Sequence, residues 1–232
     1  MRGASVLALA LALAPLPAAA DVTATYSVGK SQLTVEVDDS GDYRAEIPGK
    51  FALLRHGGDE FILITHNGKV SATRSDIFFA LLKTKAPKNA PTGGPMATMR
   101  FVTTQGKDEV VAGRRGSNWQ IAPEGQEPAT LAMVVSADAQ LAPVGGVFHR
   151  GIARALDGFA PFFGNNMGFR DQIVAVLAKG TVLRLAGPEN IVLQNVSGDE
   201  IDAGRFAAPA ELLDSEAFDA ALDEPTQPPA KP

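Results

Sequence analysis

Five of the twelve phenylalanines lie within a stretch of 22 residues, and glycines separate them. Aromatic side chains on a glycine-hinged segment can form a lid over an apolar cavity, because each removes a large area from water without needing a polar partner. The alternative is a helical plug of the core, which is the commoner role of aromatic clusters. A plug also lines whatever space remains inside, so in either case we predict a site for a hydrophobic ligand. Its residues are Phe148, Phe159, Phe162, Phe163, Phe169 and Ile173.

The three histidines do not form a recognisable metal site. His56, His66 and His149 each lack a second ligand at a known spacing, whereas a zinc site needs three or four ligands at defined offsets. The acidic turn at residues 38–42 resembles part of a calcium loop but lacks the remaining oxygen ligands and the closing Glu. We therefore predict neither a metal nor a cofactor.

Catalytic motifs are also missing from the sequence. Ser117 follows Gly116 without the second glycine of a nucleophile elbow, and the chain has no cysteine for thiol chemistry. Asp199 and Glu200 are neighbours in a loop, which gives no evidence of a shared substrate. We predict no catalytic residue and expect the protein not to be an enzyme.

Residues 1–20 have the composition of a signal peptide, with Arg2 near the start, an apolar core and a small-residue site for cleavage after Ala20. No later segment is apolar for long enough to span a membrane, so we expect a periplasmic or secreted product without a transmembrane segment in the mature chain. Because cysteine is absent, disulfides cannot supply stability and a substantial core must. The formal net charge of −5 argues against binding to nucleic acid.

The elements that position any site begin with a meander of about five short strands in residues 22–72. Val22, Ala24, Tyr26 and Val28 share one side of the first strand, which is the alternation typical of a half-buried strand. Residues 61–65 are apolar on both faces, which predicts a central strand beneath the elements that cover the sheet. Asn67-Gly68 is a strong hairpin signal. Such a sheet needs a cover on its apolar face.

The rest of the chain supplies that cover. Ser75 is interpreted as the N-cap of an apolar helix through Leu82, and residues 83–96 as a mobile loop. The remaining predicted elements are strands at 98–104, 109–112, 118–121 and 130–136, with a turn at 113–116; a helix at 144–156, an aromatic loop at 158–167 and a helix at 168–179; a hairpin of 181–186 with 191–197; and a short helix at 214–222 before a proline-rich, disordered tail at 224–232.

Together these elements predict an α+β fold in which a strongly curved antiparallel sheet, a half-open β-barrel, packs over helices. We assign residues 21–213 to a single domain of this kind and residues 214–232 to the short helix and tail.

Two segments carry a resemblance to a known family. The segment VLQNVSGDEIDAGRFAAPAELL places a late strand ahead of a polar turn, Phe206 and Pro209, and VVAGRRGSNWQI places a turn between two strands. In this respect the chain resembles an uncharacterised family of exported bacterial proteins that looks related to the LolA/LolB-like lipoprotein-carrier fold. The resemblance implies an unclosed barrel over helices, with an apolar cavity that holds acyl chains in the carriers.

Two functions follow as hypotheses. The first is a periplasmic binding or carrier module that holds a lipid or acylated ligand between sheet and helices. The second is a non-catalytic structural or interaction protein with a fully packed interior, in which an edge strand or the proline-rich tail engages an envelope protein. A cavity large enough for an acyl chain favours the first, and a filled interior favours the second.

Overall fold

Eleven strands form one open antiparallel sheet in the part of the chain that the computed structural model describes, which comprises residues 21–85, 99–160, 167–187 and 189–223. The sheet order is β6-β5-β4-β3-β2-β1-β11-β10-β9-β8-β7, so β6 and β7 form its two edges. The strands are β1 Val22–Val28, β2 Ser31–Val37, β3 Tyr43–Ile47, β4 Phe51–His56, β5 Asp59–His66, β6 Lys69–Arg74, β7 Phe101–Val111, β8 Arg114–Pro123, β9 Leu131–Ser136, β10 Thr181–Ala186 and β11 Ile191–Ser197. The predicted signal peptide and proline-rich tail lie outside the described residues, as does most of the predicted loop at 83–96.

The first six strands form the predicted meander, with six strands in place of about five. Each strand pairs with the next in antiparallel register through a short turn. In β1 the alternation is complete, because Val22, Ala24, Tyr26 and Val28 are all buried while the residues between them are half-exposed. We call the face that carries these four side chains the inner face of the sheet.

The hairpin of β7 and β8 differs from the predicted elements in the extent of both strands and in the position of the turn between them. The two strands predicted at 98–104 and 109–112 form the single strand β7, because the ladder continues past polar residues through a register shift between Gln105 and Asp108. The turn predicted at 113–116 consists of Ala112 and Gly113 alone, with φ of 48° and 75°. Two successive residues with positive φ make the tight turn whose twist matches the strands, so β8 begins already at Arg114.

Four α-helices lie in the described residues: α1 Ser75–Thr84, α2 Ala142–Phe159, α3 Met167–Leu177 and α4 Ser215–Asp223. The N-cap of α1 is Arg74 rather than Ser75, whose side chain is instead buried beside Glu60 of β5. The helix α2 extends three residues past its predicted end, so Gly158 and Phe159 are helical and not part of a loop. Residues 161–166 of the predicted aromatic loop lie outside the described part of the chain.

A second, smaller core explains why β5 is apolar on both faces. On the outer face of the sheet, Leu54 and Phe61 pack against Phe206 from a short 3-10 helix, Ala203–Phe206. All three side chains are at most 5% exposed. Arg205 Nη2 reinforces this cover from the surface, 2.7 Å from Glu36 Oε2 and 3.1 Å from Glu46 Oε2. The segment after β11 therefore covers part of the outer face, around β4 and β5, while the helices lie on the inner face.

The outer core makes a measurable contribution to stability. Phe206→Leu is expected to lower the free energy of unfolding by about 1 kcal/mol, because the shorter side chain leaves part of the contact with Leu54 and Phe61 unmade. Urea denaturation followed by circular dichroism measures the change. Val70→Ala is the matched control, since Val70 is 57% exposed and its truncation is expected to change stability by less than ~0.5 kcal/mol. Equal effects of the two substitutions would contradict a packed outer core.

Across the residues that the structure describes, no helix has both the length and the apolarity to cross a membrane.

Candidate functional site

A cavity of about 330 Å³ lies between the inner face of the sheet and the helices α1 and α2. Its volume is at the lower end of the roughly 300–1,000 Å³ that ligand pockets occupy. Its walls are almost entirely apolar. The lining residues come from β2 to β5 on one side and from two helices that are distant in sequence on the other.

The sheet wall follows directly from the period of the strands. Residues directly opposite each other in neighbouring antiparallel strands share a face, and the register pairs Val35 with Ala45, Ala45 with Leu53, and Leu53 with Ile62. All four line the cavity. Leu33 of β2 and Phe51 of β4 continue the same apolar face along these strands. One alternating set of side chains in each strand thus builds a continuous apolar wall.

The helix wall combines aromatic side chains of α1 with a small residue of α2. Phe78, Phe79 and Leu82 of α1 and Phe148 of α2 line the cavity. Gly151 of α2 faces the same space, and a Cβ atom placed there would meet only Leu53 Cδ2, at 3.5 Å. The missing side chain at position 151 therefore contributes to the free volume of the cavity.

The helix α4 holds α1 in place over the cavity. Phe218 of α4 is fully buried and its ring meets that of Phe78 edge-on, with centroids 6.1 Å apart. Lys85, just after α1, forms ion pairs with Asp219 and, at 3.4 Å, with Asp223. The short helix near the end of the described chain is thus a structural support for the α1 wall.

One end of the cavity is polar. Tyr43, Arg55 and Glu60 are opposite one another in β3, β4 and β5, so they share the inner face with the apolar wall. Tyr43 Oη donates a hydrogen bond to Glu60 Oε1 at 2.7 Å, and Arg154 of α2 forms an ion pair with Glu60 Oε2. Burial raises the pKa of Tyr43, which keeps its hydroxyl protonated as a donor. The Glu60 carboxylate is therefore partnered on both oxygens.

Arg150 also lies at this end of the cavity. Its guanidinium carbon lies 5.1 Å from the centroid of the Tyr43 ring, which is a cation–π distance. Its Nε is buried without a hydrogen-bond partner. Within the described part of the chain, no carboxylate lies within 4 Å of its guanidinium.

The structure brings only part of the predicted site to this cavity. Phe148 lines it and is 8% exposed. Phe169 and Ile173 pack in the main core further along the sheet, where the ring of Phe169 is 4.8 Å from that of Phe101. Phe162 and Phe163 lie outside the described residues, and for Phe159 only the helical backbone is described. The role of these residues in ligand binding stays a prediction.

Sequence reasoning missed the residues that combine charge with the apolar wall. Arg150 and Arg154 are four residues apart in α2, so they project from the same side of the helix as the cavity-lining Val147 and Gly151. Two arginines on an otherwise apolar helix face are a signal that was available in the sequence. Glu60 and Tyr43 carried no such signal, because only the strand register brings them together.

His56 takes part in a local contact. His56 Nδ1 lies 3.3 Å from Asp42 Oδ2, across the turns that flank β3 and β4. Among the residues of known placement, no group of three or more histidine, aspartate or glutamate side chains is arranged to hold a metal ion.

Comparisons with known proteins find a weak structural similarity. No protein-family model matches the chain, and no curated protein matches it significantly. Among solved structures, one titled "Crystal structure of MucB" aligns with 83% of this chain and 58% of its own, at 12% sequence identity and a TM-score of 0.34. The chain thus spans less than two thirds of that protein. The similarity is weak, and the resemblance to lipoprotein carriers stays a hypothesis.

Proposed function

We propose that the protein is a non-catalytic binding or carrier module that holds a hydrophobic, lipid-like ligand in the cavity between β2–β5 and the helices α1 and α2. The observation that carries this proposal is the cavity itself, which combines about 330 Å³ of space with walls made almost entirely of carbon. Apolar space of this kind excludes water and accepts apolar molecules. In this proposal the sheet acts as a half-open barrel around its ligand.

The alternative function, an interaction protein with a fully packed interior, is less well supported. Proteins normally fill their cores to crystal-like density, because side chains that line an empty space lose contact energy. Position 151 is a glycine in the middle of a helix, where glycine is less favourable than alanine by up to about 1 kcal/mol. A larger residue would fill the cavity and favour the helix, so the glycine is better explained by a ligand that needs the space.

The proposed setting is the periplasm or the extracellular space, after cleavage of the signal peptide at residue 20. A mature product of this kind would meet lipids and acylated proteins of the envelope directly.

Uptake of a neutral probe tests the proposed function. Protein purified without detergent is expected to bind N-phenyl-1-naphthylamine saturably, with one probe molecule per chain, and to carry a co-purified lipid detectable by native mass spectrometry. Probe fluorescence rises on transfer from water to an apolar site, so a titration gives the affinity directly. A linear, non-saturating rise together with a ligand-free mass spectrum would refute the proposal and favour the packed alternative.

A further inference from the structure

We propose that the ligand is a single-chain lipid with an anionic head group, and that Arg150 binds this head group at the polar end of the cavity. The inference rests on the proposed function and adds the chemical class of the ligand to it.

The balance of charge at the polar end favours an anion. Three arginines, Arg55, Arg150 and Arg154, come close to Tyr43 there, and Glu60 is the single acidic residue among those that line the described cavity. Arg154 forms the ion pair with Glu60, and Tyr43 donates to the same carboxylate. Because Glu60 is already partnered, positive charge remains at the end of an otherwise apolar space.

Arg150 is placed to use that charge. It lines the cavity and immediately precedes Gly151 in the sequence. Its guanidinium carbon lies 5.1 Å from the centroid of the Tyr43 ring. Stacking on an aromatic ring holds the planar guanidinium in one orientation. The buried, unpartnered Nε is an N–H that lacks an acceptor, and buried donors without an acceptor are rare in proteins. A carboxylate or phosphate oxygen would satisfy it, and guanidinium groups bind such oxygens in pairs.

The size of the cavity indicates one chain. At about 330 Å³ the space is near the lower limit of ligand pockets, with Phe79 and Leu82 in the helix wall and Ile62 in the sheet wall. A lipid with two or three acyl chains needs a correspondingly larger space. A ligand with one chain along the wall of β2–β5 and its charge beside Tyr43 matches both the volume and the distribution of polar groups.

The test compares three ligands that have the same chain and different heads. Dodecanoate, 1-dodecanol and dodecyltrimethylammonium compete against bound N-phenyl-1-naphthylamine at pH 7.5 with the full mature protein. Dodecanoate is expected to bind at least about tenfold more tightly than dodecanol, because it adds charge-assisted hydrogen bonds. The cationic ligand is expected to bind most weakly.

The variant Arg150→Gln separates head-group binding from chain binding. It is expected to reduce the affinity for dodecanoate to that for dodecanol and to leave the affinity for dodecanol unchanged, which also reports that the variant is folded. Arg115→Gln is the matched control, since it removes the same charge from a side chain that is 79% exposed on β8, outside this cavity. The control is expected to bind all three ligands as the wild type does.

The possible failures can be told apart. If wild-type protein binds dodecanol as tightly as dodecanoate, or if Arg150→Gln weakens both equally, the assignment of an anionic head group is wrong and the proposed function stands. If neither the probe nor dodecanol binds at all, the proposed function itself fails.

Discussion

Replacing Gly151 by leucine is expected to weaken the binding of a neutral single-chain ligand by roughly 100-fold, without loss of stability. The new side chain would start 3.5 Å from Leu53 Cδ2 and extend into the cavity, with no other atom within 4 Å of its Cβ. Its four carbons would exclude about as many methylene groups of the ligand. At about 0.8 kcal/mol for each methylene, the loss is about 3 kcal/mol, which is on the order of 100-fold in affinity.

Two readouts are needed because the substitution acts on both folding and binding. Leucine favours a helix more than glycine does, and it fills apolar space, so the thermal midpoint of the variant is expected to equal or exceed that of the wild type. Gly151→Ala is the matched control: it brings a similar helix preference and only one carbon. If competition with dodecanol gives the same affinity for the leucine variant as for the alanine variant, the ligand does not occupy this cavity.

The strands of this fold were readable from the sequence because their signal is local. The alternation in β1 and the Asn67-Gly68 turn after β5 each depend on a few neighbouring residues, and the structure confirms both. Errors occurred where a local signal was ambiguous. The polar residues between Gln105 and Asp108 resemble a loop, yet the pairing with β8 carries the strand through them.

The cavity was less predictable than the sheet because it depends on contacts between distant segments. The cluster of phenylalanines near α2 pointed to the right helix through Phe148, but other aromatic residues of the wall, Phe78 and Phe79, come from α1. The packing of Phe61 on the outer face was unpredictable for the same reason, since its partner Phe206 lies far along the chain. Periodicity shows which side chains share a face, whereas the segment that covers each face follows only from the tertiary structure.

The polar end of the cavity illustrates this most clearly, because its central ion pair joins β5 to α2. Glu60 has a side chain that is only 7% exposed, whereas that of Arg154 is 46% exposed. The two partners are therefore not equivalent. Loss of Glu60 would leave an arginine that can turn to solvent, but loss of Arg154 would leave a buried carboxylate without its ion-pair partner.

Arg154→Met is accordingly expected to lower the free energy of unfolding by about 3 kcal/mol, near the lower end of the range for breaking a buried ion pair. The value is at the lower end because Tyr43 Oη still donates to the carboxylate, at 2.7 Å, and Ser75 Oγ lies 3.5 Å from it. Methionine keeps much of the length and the apolar stem of arginine, so the change reports the lost charge more than lost packing. Urea denaturation at pH 7.5 measures it.

The double variant Glu60→Gln/Arg154→Met is the decisive control. Removing both charges takes away the buried carboxylate together with its partner, so much of the lost stability is expected to return. Glutamine retains an acceptor for the Tyr43 hydroxyl, and this keeps the hydrogen bond that joins β3 to β5. If the two substitutions instead destabilise additively, Arg154 stabilises the fold through contacts other than Glu60, and the ion pair does not hold α2 over the polar end of the cavity.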